Sequence, residues 1–286
     1  LGSAAAPAWW VMVLGGLMSG MGSGALHVGL NAHFTANHGA GVINWLHACF
    51  GIGATLGPLI MTAILQASSS WRWGYGVASV TMGLVAFIFI LTQSRWSGSN
   101  KVAPQTSSRE GRATRGLDTL TLPVVWMSLL LFFLYTGAES PAGQWAYSLF
   151  TGGRSVPESR ASLWMSIYWG GLTVGRVLLG AVVDRLNVSS LLRLCILATI
   201  IGSALIWWHP TNTLSFLGLA LMGIAEGPIF PSLISDTPRR VDAGHVDTTI
   251  GFQVAAASLG AAALSSLDGV LSERVSLEIL GPFLVV

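Results

Sequence analysis

The hydrophobic pattern of the chain is a series of long apolar runs divided by breaker-rich or charged stretches. Three runs, 8–33, 43–66 and 74–93, precede a polar interval, and five follow it: 121–148, 160–183, 189–208, 213–236 and 246–268. Runs longer than about 18 apolar residues can cross a bilayer core, and Gly, Pro and charge clusters mark where one ends and the next begins. The pattern predicts eight membrane-spanning helices in an all-α, polytopic protein. The interval 94–120, "SRWSGSNKVAPQTSSREGRATRGLD" and its borders, has no apolar period and is predicted to be a flexible cytoplasmic loop. It divides the chain into residues 1–93, with three helices, and 121–286, with five helices and the apolar stub "LEILGPFLVV".

Composition supports lipid as the solvent. Of 286 residues, 52% are hydrophobic and 9% charged, against about 25% charged in a soluble domain. No Lys, Arg, Asp or Glu occurs from Leu1 to Trp71. A net charge of +2, with no basic stripe beside aromatics, argues against nucleic acid as a partner. Cys49 and Cys195 lie in apolar segments and read as buried small hydrophobes. With 94–120 inside, the inner loops hold nine Lys/Arg and the outer loops four, as the positive-inside rule requires. Trp9, Trp10, Trp71, Trp73, Trp207 and Trp208 fall at span ends, where an aromatic belt is expected.

Three spans before the loop and five and a part after it are unequal. The chain therefore reads as a piece of a longer one, lacking three spans in front and most of one behind, and is expected not to transport by itself. An internal repeat fits two six-helix halves. "GMGSGALH" from Gly20 aligns with "GIAEGPIF" from Gly223, matching Gly20 and Gly24 to Gly223 and Gly227. Small residues at this spacing let helix backbones approach closely in lipid.

The segments "GSGALHVGLNAHF" and "INWLHACFGIGATLGPLI" resemble the fourth and fifth helices of the major facilitator superfamily, in its fucose-permease-like sugar:proton symporter branch and fungal members. "LFFLYTGAESPAGQWAYSLF" is similar to the seventh helix, "YWGGLTVGRVLLGAVVDRL" to the eighth and "GIAEGPIFPSLIS" to the tenth. The resemblance covers nearly the whole chain. It implies that residues 1–93 are the second half of the N-terminal bundle and 121–286 the C-terminal bundle. Within "GAVVDR", Gly180, Asp184 and Arg185 match the superfamily's cytoplasmic loop motif, which implies a latch that holds one conformation and breaks in the other. His27 stands where the fucose permease has an acid implicated in proton coupling. Histidine titrates near neutrality and can itself carry a proton.

Polar residues inside apolar spans are the site candidates, because a charge at that depth is costly unless paired, protonated or facing water. Glu139 lies midway along its span, followed by the helix-weakening Pro141 and Gly143, with Gln144 and Trp145 next. A carboxylate, an amide and an indole suit a sugar's hydroxyls and apolar ring face. Glu226 is flanked by Gly227, Pro228 and Pro231, so its segment reads as a hinge or a second ligand. His27 and Asn31, four residues apart, share a helix face; His47 and Gln253 are cavity or packing residues.

The expected activity is alternating-access movement of a small polar solute, most simply a sugar, coupled to protons. An exporter of an organic anion or drug-like solute, and a non-transporting receptor or decayed transporter, are the alternatives. No P-loop, nucleophile elbow or His-x-x-His cluster is present, so the chain does not read as an enzyme. No cofactor or metal is expected, since His33 and His38 fall at a predicted loop. The expected setting is a monomer in the plasma membrane, with the vacuolar or another internal membrane as alternative.

Overall fold

The computed structural model describes residues 6, 8–68, 70–97, 116–182 and 187–285. Within them the chain is helical: α1 (Trp9–Asn37), α2 (Ala40–Ser68), α3 (Trp71–Ser97), α4 (Pro123–Ser148), α5 (Glu158–Val182), α6 (Val188–Trp208), α7 (Asn212–Glu226), α8 (Ile229–Asp236), α9 (Val246–Arg274) and the short α10 (Leu280–Val285). Seven stretches are long and apolar enough to cross a membrane, α7 and α8 counting as one; α5, which carries Glu158, Arg160 and Arg176, is an eighth long helix. This is a multi-pass membrane protein.

Helices overrun the predicted spans where no breaker stops them. α1 continues from residue 33 to Asn37, just before Gly39, which places His33 on the helix rather than in a loop. α9 continues to Arg274, which puts Asp268 inside a helix instead of at its end. Asp184 and Arg185 of the expected latch lie outside the described residues, while Gly180 belongs to α5. Cys195 is buried, but Cys49 is exposed on α2.

The chain forms two compact units. One comprises residues 1–23 and 57–113, the other 24–56 and 114–286. In the first, Leu14, Leu17, Met18, Val80, Leu84 and Ile88 are exposed apolar side chains on uncharged helix faces, the surface expected where lipid is the solvent. In the second, α4 packs along α9, and α7 lies against both α5 and α6.

Glycines set the closest of these contacts. A Cβ on Gly223 would strike the Tyr168 carbonyl, and one on Gly227 the Leu172 carbonyl, so α5 and α7 touch backbone to backbone. Gly202 and Gly218 do the same between α6 and α7. Gly20 and Gly24, their partners in the sequence repeat, have no such neighbour within 4 Å.

One charged clasp ties the ends of several helices. α4 closes in a π turn, Leu149–Gly153, whose wide ring delivers Arg154 inward. The buried Arg154 guanidinium donates to Glu278 through Nε (2.8 Å) and Nη2 (2.6 Å), to Ser215 Oγ at 3.0 Å and to the Ile206 carbonyl at 2.8 Å. These hydrogen bonds, with Arg154's charge, hold the Glu278 carboxyl below its ordinary value of 4.5.

Gly223→Ala is expected to destabilise by about 1–3 kcal/mol through overpacking, whereas Gly20→Ala, in open space, stays within about 0.5 kcal/mol of the parent or improves on it; unfolding midpoints in mild detergent compare them. A carboxyl whose folded pKa is depressed stabilises above its unfolded pKa and loses that contribution as pH falls through the folded value. The melting temperature should therefore drop as pH falls below about 4.5, and the Glu278→Gln variant should lose this part of the pH dependence. At neutral pH that variant should cost about 1–2 kcal/mol, at the low end for a charged hydrogen bond because Glu278 stays partly exposed.

Candidate functional site

The helix running from Asn212 to Asp236 breaks in its middle. Glu226 ends α7, Gly227 and Pro228 form a turn, and α8 starts at Ile229. Pro228 has no N–H to give back to Ile224, and Pro231 none to give to Gly227, so two carbonyls lose their helical donors at this point. The Gly227 carbonyl is taken by Arg176 Nε of α5 at 2.9 Å. Tyr135 of α4 donates its hydroxyl to the neighbouring Glu226 carbonyl at 2.7 Å. The break is thus held by side chains from two other helices.

Around it the buried polar residues converge. Glu226, 1% exposed, accepts from the Tyr168 hydroxyl at Oε2 (2.7 Å), while its Oε1 has no hydrogen-bond partner among the described residues. Tyr168 Oη also reaches the Glu139 carbonyl at 3.1 Å, joining α4, α5 and α7. The Glu139 carboxylate lies 3.8 Å from Arg176 Nη2, an ion pair longer than a hydrogen bond. Arg176, 3% exposed, donates Nη1 to the His47 carbonyl of α2 at 3.0 Å and sits over the Phe50 ring at 5.6 Å. One guanidinium therefore serves one buried carboxylate and two backbone carbonyls.

The histidines form the adjoining wall. Asn31 Nδ2 donates to the His27 carbonyl at 2.8 Å, which leaves Asn31 Oδ1 to accept from His47 Nε2 at 2.9 Å. That arrangement fixes the proton on Nε2 of His47. His27, half-buried, stacks on Phe230 of α8 with ring centroids 5.6 Å apart, and meets His47 edge-on at 5.7 Å.

Glu139, Glu226, His27, Asn31 and His47 thus come together at the break. Other predicted candidates lie elsewhere. Gln144, five residues past Glu139, is turned about 140° around α4 and is exposed. Trp145 donates its indole N–H to the Ser265 carbonyl of α9 at 2.9 Å and packs its ring on Gly269. Gln253 joins Ser128 Oγ (2.6 Å) and Thr237 Oγ1 (3.1 Å), linking three helical segments.

The hydroxyls of Tyr135 and Tyr168 and the central place of Arg176 went unread in the sequence. For Arg176 a signal existed: an arginine within an apolar run requires a carboxylate or carbonyls to receive it. Tyr135, one helical turn before Glu139, was a weaker one.

The chain is thus a helical membrane protein with a broken span and a buried cluster of acids, arginine, tyrosines and histidines around that break. The chain belongs to the Major Facilitator Superfamily, whose family model matches residues 1–277. It is similar to the Saccharomyces cerevisiae protein "Bypass of stop codon protein 6", 28% identical over 200 residues, covering 64% of this chain and 38% of the relative. It is also similar to the Bacillus subtilis "Glucose/mannose transporter GlcP", 25% identical over 269 residues, covering 91% of this chain and 65% of the relative. With the human "Sodium-dependent glucose transporter 1" it shares 24% identity over 296 residues, covering 89% of this chain and 55% of the relative. The chain thus spans between about two fifths and two thirds of the length of these relatives.

Arg176→Gln is expected to destabilise by about 3–5 kcal/mol, because it leaves the Glu139 carboxylate buried without a cation and removes donors from the Gly227 and His47 carbonyls. In a double-mutant cycle, Glu139→Gln should recover part of that loss, with a coupling of about 0.5–3 kcal/mol. Denaturant unfolding in micelles measures both.

Proposed function

We propose that this chain is part of a membrane transporter that moves a hexose-type sugar by alternating access, coupled to protons through Glu139 and Glu226. The observation that carries the reading is the charge imbalance at the helix break: two buried carboxylates lie there with one guanidinium, which pairs with Glu139 alone. With both acids ionised the cluster holds a net negative charge in a low-dielectric site, and one proton removes it. A charge that conformation can read is what a coupled carrier requires. Glu226 Oε1, without a partner, is the acceptor offered to a sugar hydroxyl, and the rings of Phe230 and His27 supply an apolar face for the pyranose.

Three further points support the reading. Two relatives are named as glucose transporters. The break between α7 and α8 supplies a hinge, since Gly227 and Pro228 interrupt the helical ladder there. Arg176 is committed to Glu139 and two carbonyls, which leaves it unsuited to capture an organic anion and disfavours the exporter reading. His27 takes the place of the acid in the related permease. It acts in this proposal as cavity wall, with proton handling moved to the α4 and α7 carboxylates.

The test is reconstitution of the protein, at the length its gene encodes, in liposomes with an internal pH dye and an inward proton gradient. Glucose or mannose should acidify the lumen. Glu139→Gln and Glu226→Gln should each reduce that signal at least about tenfold, equivalent to ~1.4 kcal/mol, while labelled-sugar exchange survives in at least one of them. Acidification that persists in both variants would remove the two acids from coupling, and absence of any hexose effect in the parent would remove the sugar.

A further inference from the structure

A second buried carboxylate lies on α9. Asp268 is 0% exposed, and neither of its carboxylate oxygens has a hydrogen-bond partner among the described residues. Ser265 and Ser272, three residues before and four after, lie on the same helix face. They are 4% and 7% exposed, and their hydroxyls also have no partner among those residues. Four oxygen atoms of three side chains are therefore left open on one buried stripe. Trp145 of α4 packs beside it, donating its indole N–H to the Ser265 carbonyl at 2.9 Å and laying its ring on Gly269.

Among the described residues no salt bridge reaches Asp268. The ionisable groups of its own and neighbouring elements are otherwise engaged or exposed. Glu139 of α4 pairs with Arg176, Glu278 after α9 is clamped by Arg154, and Glu273 and Arg274 of the last turn of α9 are exposed. Asp268 shares no hydrogen bond with the cluster at the helix break.

An ionised carboxylate in such a place is strongly unfavourable unless a positive charge joins it. The donors here are hard oxygens alone, without nitrogen or sulfur, which suits a hard cation. A single carboxylate offers one negative charge. A divalent ion, which seeks about six or more oxygens and usually more than one carboxylate, would be left undercompensated; a monovalent one would not.

We propose that Asp268, with Ser265 and Ser272 beside it and Trp145 packed alongside, is the binding site of one monovalent cation, a proton or a sodium ion. Both satisfy the same oxygens: a sodium ion is coordinated by carboxylate and hydroxyl, while a protonated carboxyl donates its O–H to a serine oxygen. The site is independent of the sugar reading, because it needs no solute to be occupied.

The experiment uses the whole gene-encoded protein in lipid nanodiscs, without sugar. Sodium replaces choline at constant ionic strength while the thermal midpoint is followed, and infrared difference spectra monitor the carbonyl stretch of protonated carboxyls. A midpoint that rises with sodium in the parent and not in Asp268→Asn identifies a sodium site. A midpoint indifferent to sodium, together with a protonated-carboxyl band at neutral pH that disappears in Asp268→Asn, identifies a proton site. An indifferent midpoint and no such band overturn the proposal. Should Asp268→Asn fail to fold, Ser265→Ala keeps the carboxylate. It should raise the half-saturating sodium concentration about fivefold, as expected for one lost ligand oxygen, or move the carboxyl band. A Ser265→Ala protein unchanged in both respects also overturns the site as built.

Discussion

The guanidinium of Arg176 holds together the part of this molecule on which the rest depends. In lipid a backbone carbonyl without a donor has no water to turn to, and the prolines after Glu226 create such carbonyls in the middle of a span. Arg176 answers one of them at Gly227, reaches the His47 carbonyl on α2 and stands beside Glu139 on α4. A single side chain thereby makes a broken helix tolerable, neutralises a buried acid and joins helices far apart in sequence. The glycines permit it: because Gly223 and Gly227 bring α7 against the backbone of α5, the arginine from α5 is short of reach to nothing it must bond.

The two acids at this break differ in surroundings. Glu139 has a cation within 3.8 Å, whereas Glu226 has a tyrosine hydroxyl on one oxygen and, among the described residues, no hydrogen-bond partner on the other. Tyr168 touches the backbone of the first and the carboxylate of the second, so one hydroxyl bridges the two helices. The Arg154 clasp likewise bonds residues of three other segments, Ile206, Ser215 and Glu278, through one buried guanidinium. Both arginines do what lysine cannot do as well, presenting several fixed donors from one plane to several acceptors.

Much of the fold could be read from the sequence. Apolar run length gives the number and approximate limits of the long helices, since a bilayer admits few other solutions. Limits failed where the residues beyond a run were polar yet still helix-compatible, as at His33–Asn37 and between Asp268 and Arg274. Glu139, Glu226, His27 and His47 were legible as candidates because a polar group at membrane depth always asks for a reason. Their partners were not. Which residue answers Glu226 depends on the rotation of α5 about its axis, and Tyr168 looks like any aromatic in an apolar run. Gln144 and Trp145 were grouped with Glu139 by adjacency in the chain, although a helix turns adjacent residues to different faces.

By itself the sequence determined the solvent, the helical class, the break at Gly227–Pro228 and the short set of residues able to bear charge inside the membrane. These follow from local chemistry: side-chain transfer energies, missing N–H groups and missing Cβ atoms act wherever the residue stands. Only the tertiary structure decided that Arg176 serves Glu139 and the helix break together, that Gln253 is tied to Ser128 and Thr237, and that Asp268, Ser265 and Ser272 are buried on the helix that Trp145 packs against. Those are matters of helix rotation and crossing, which side-chain packing sets between different segments of the chain, and no local rule carries that information.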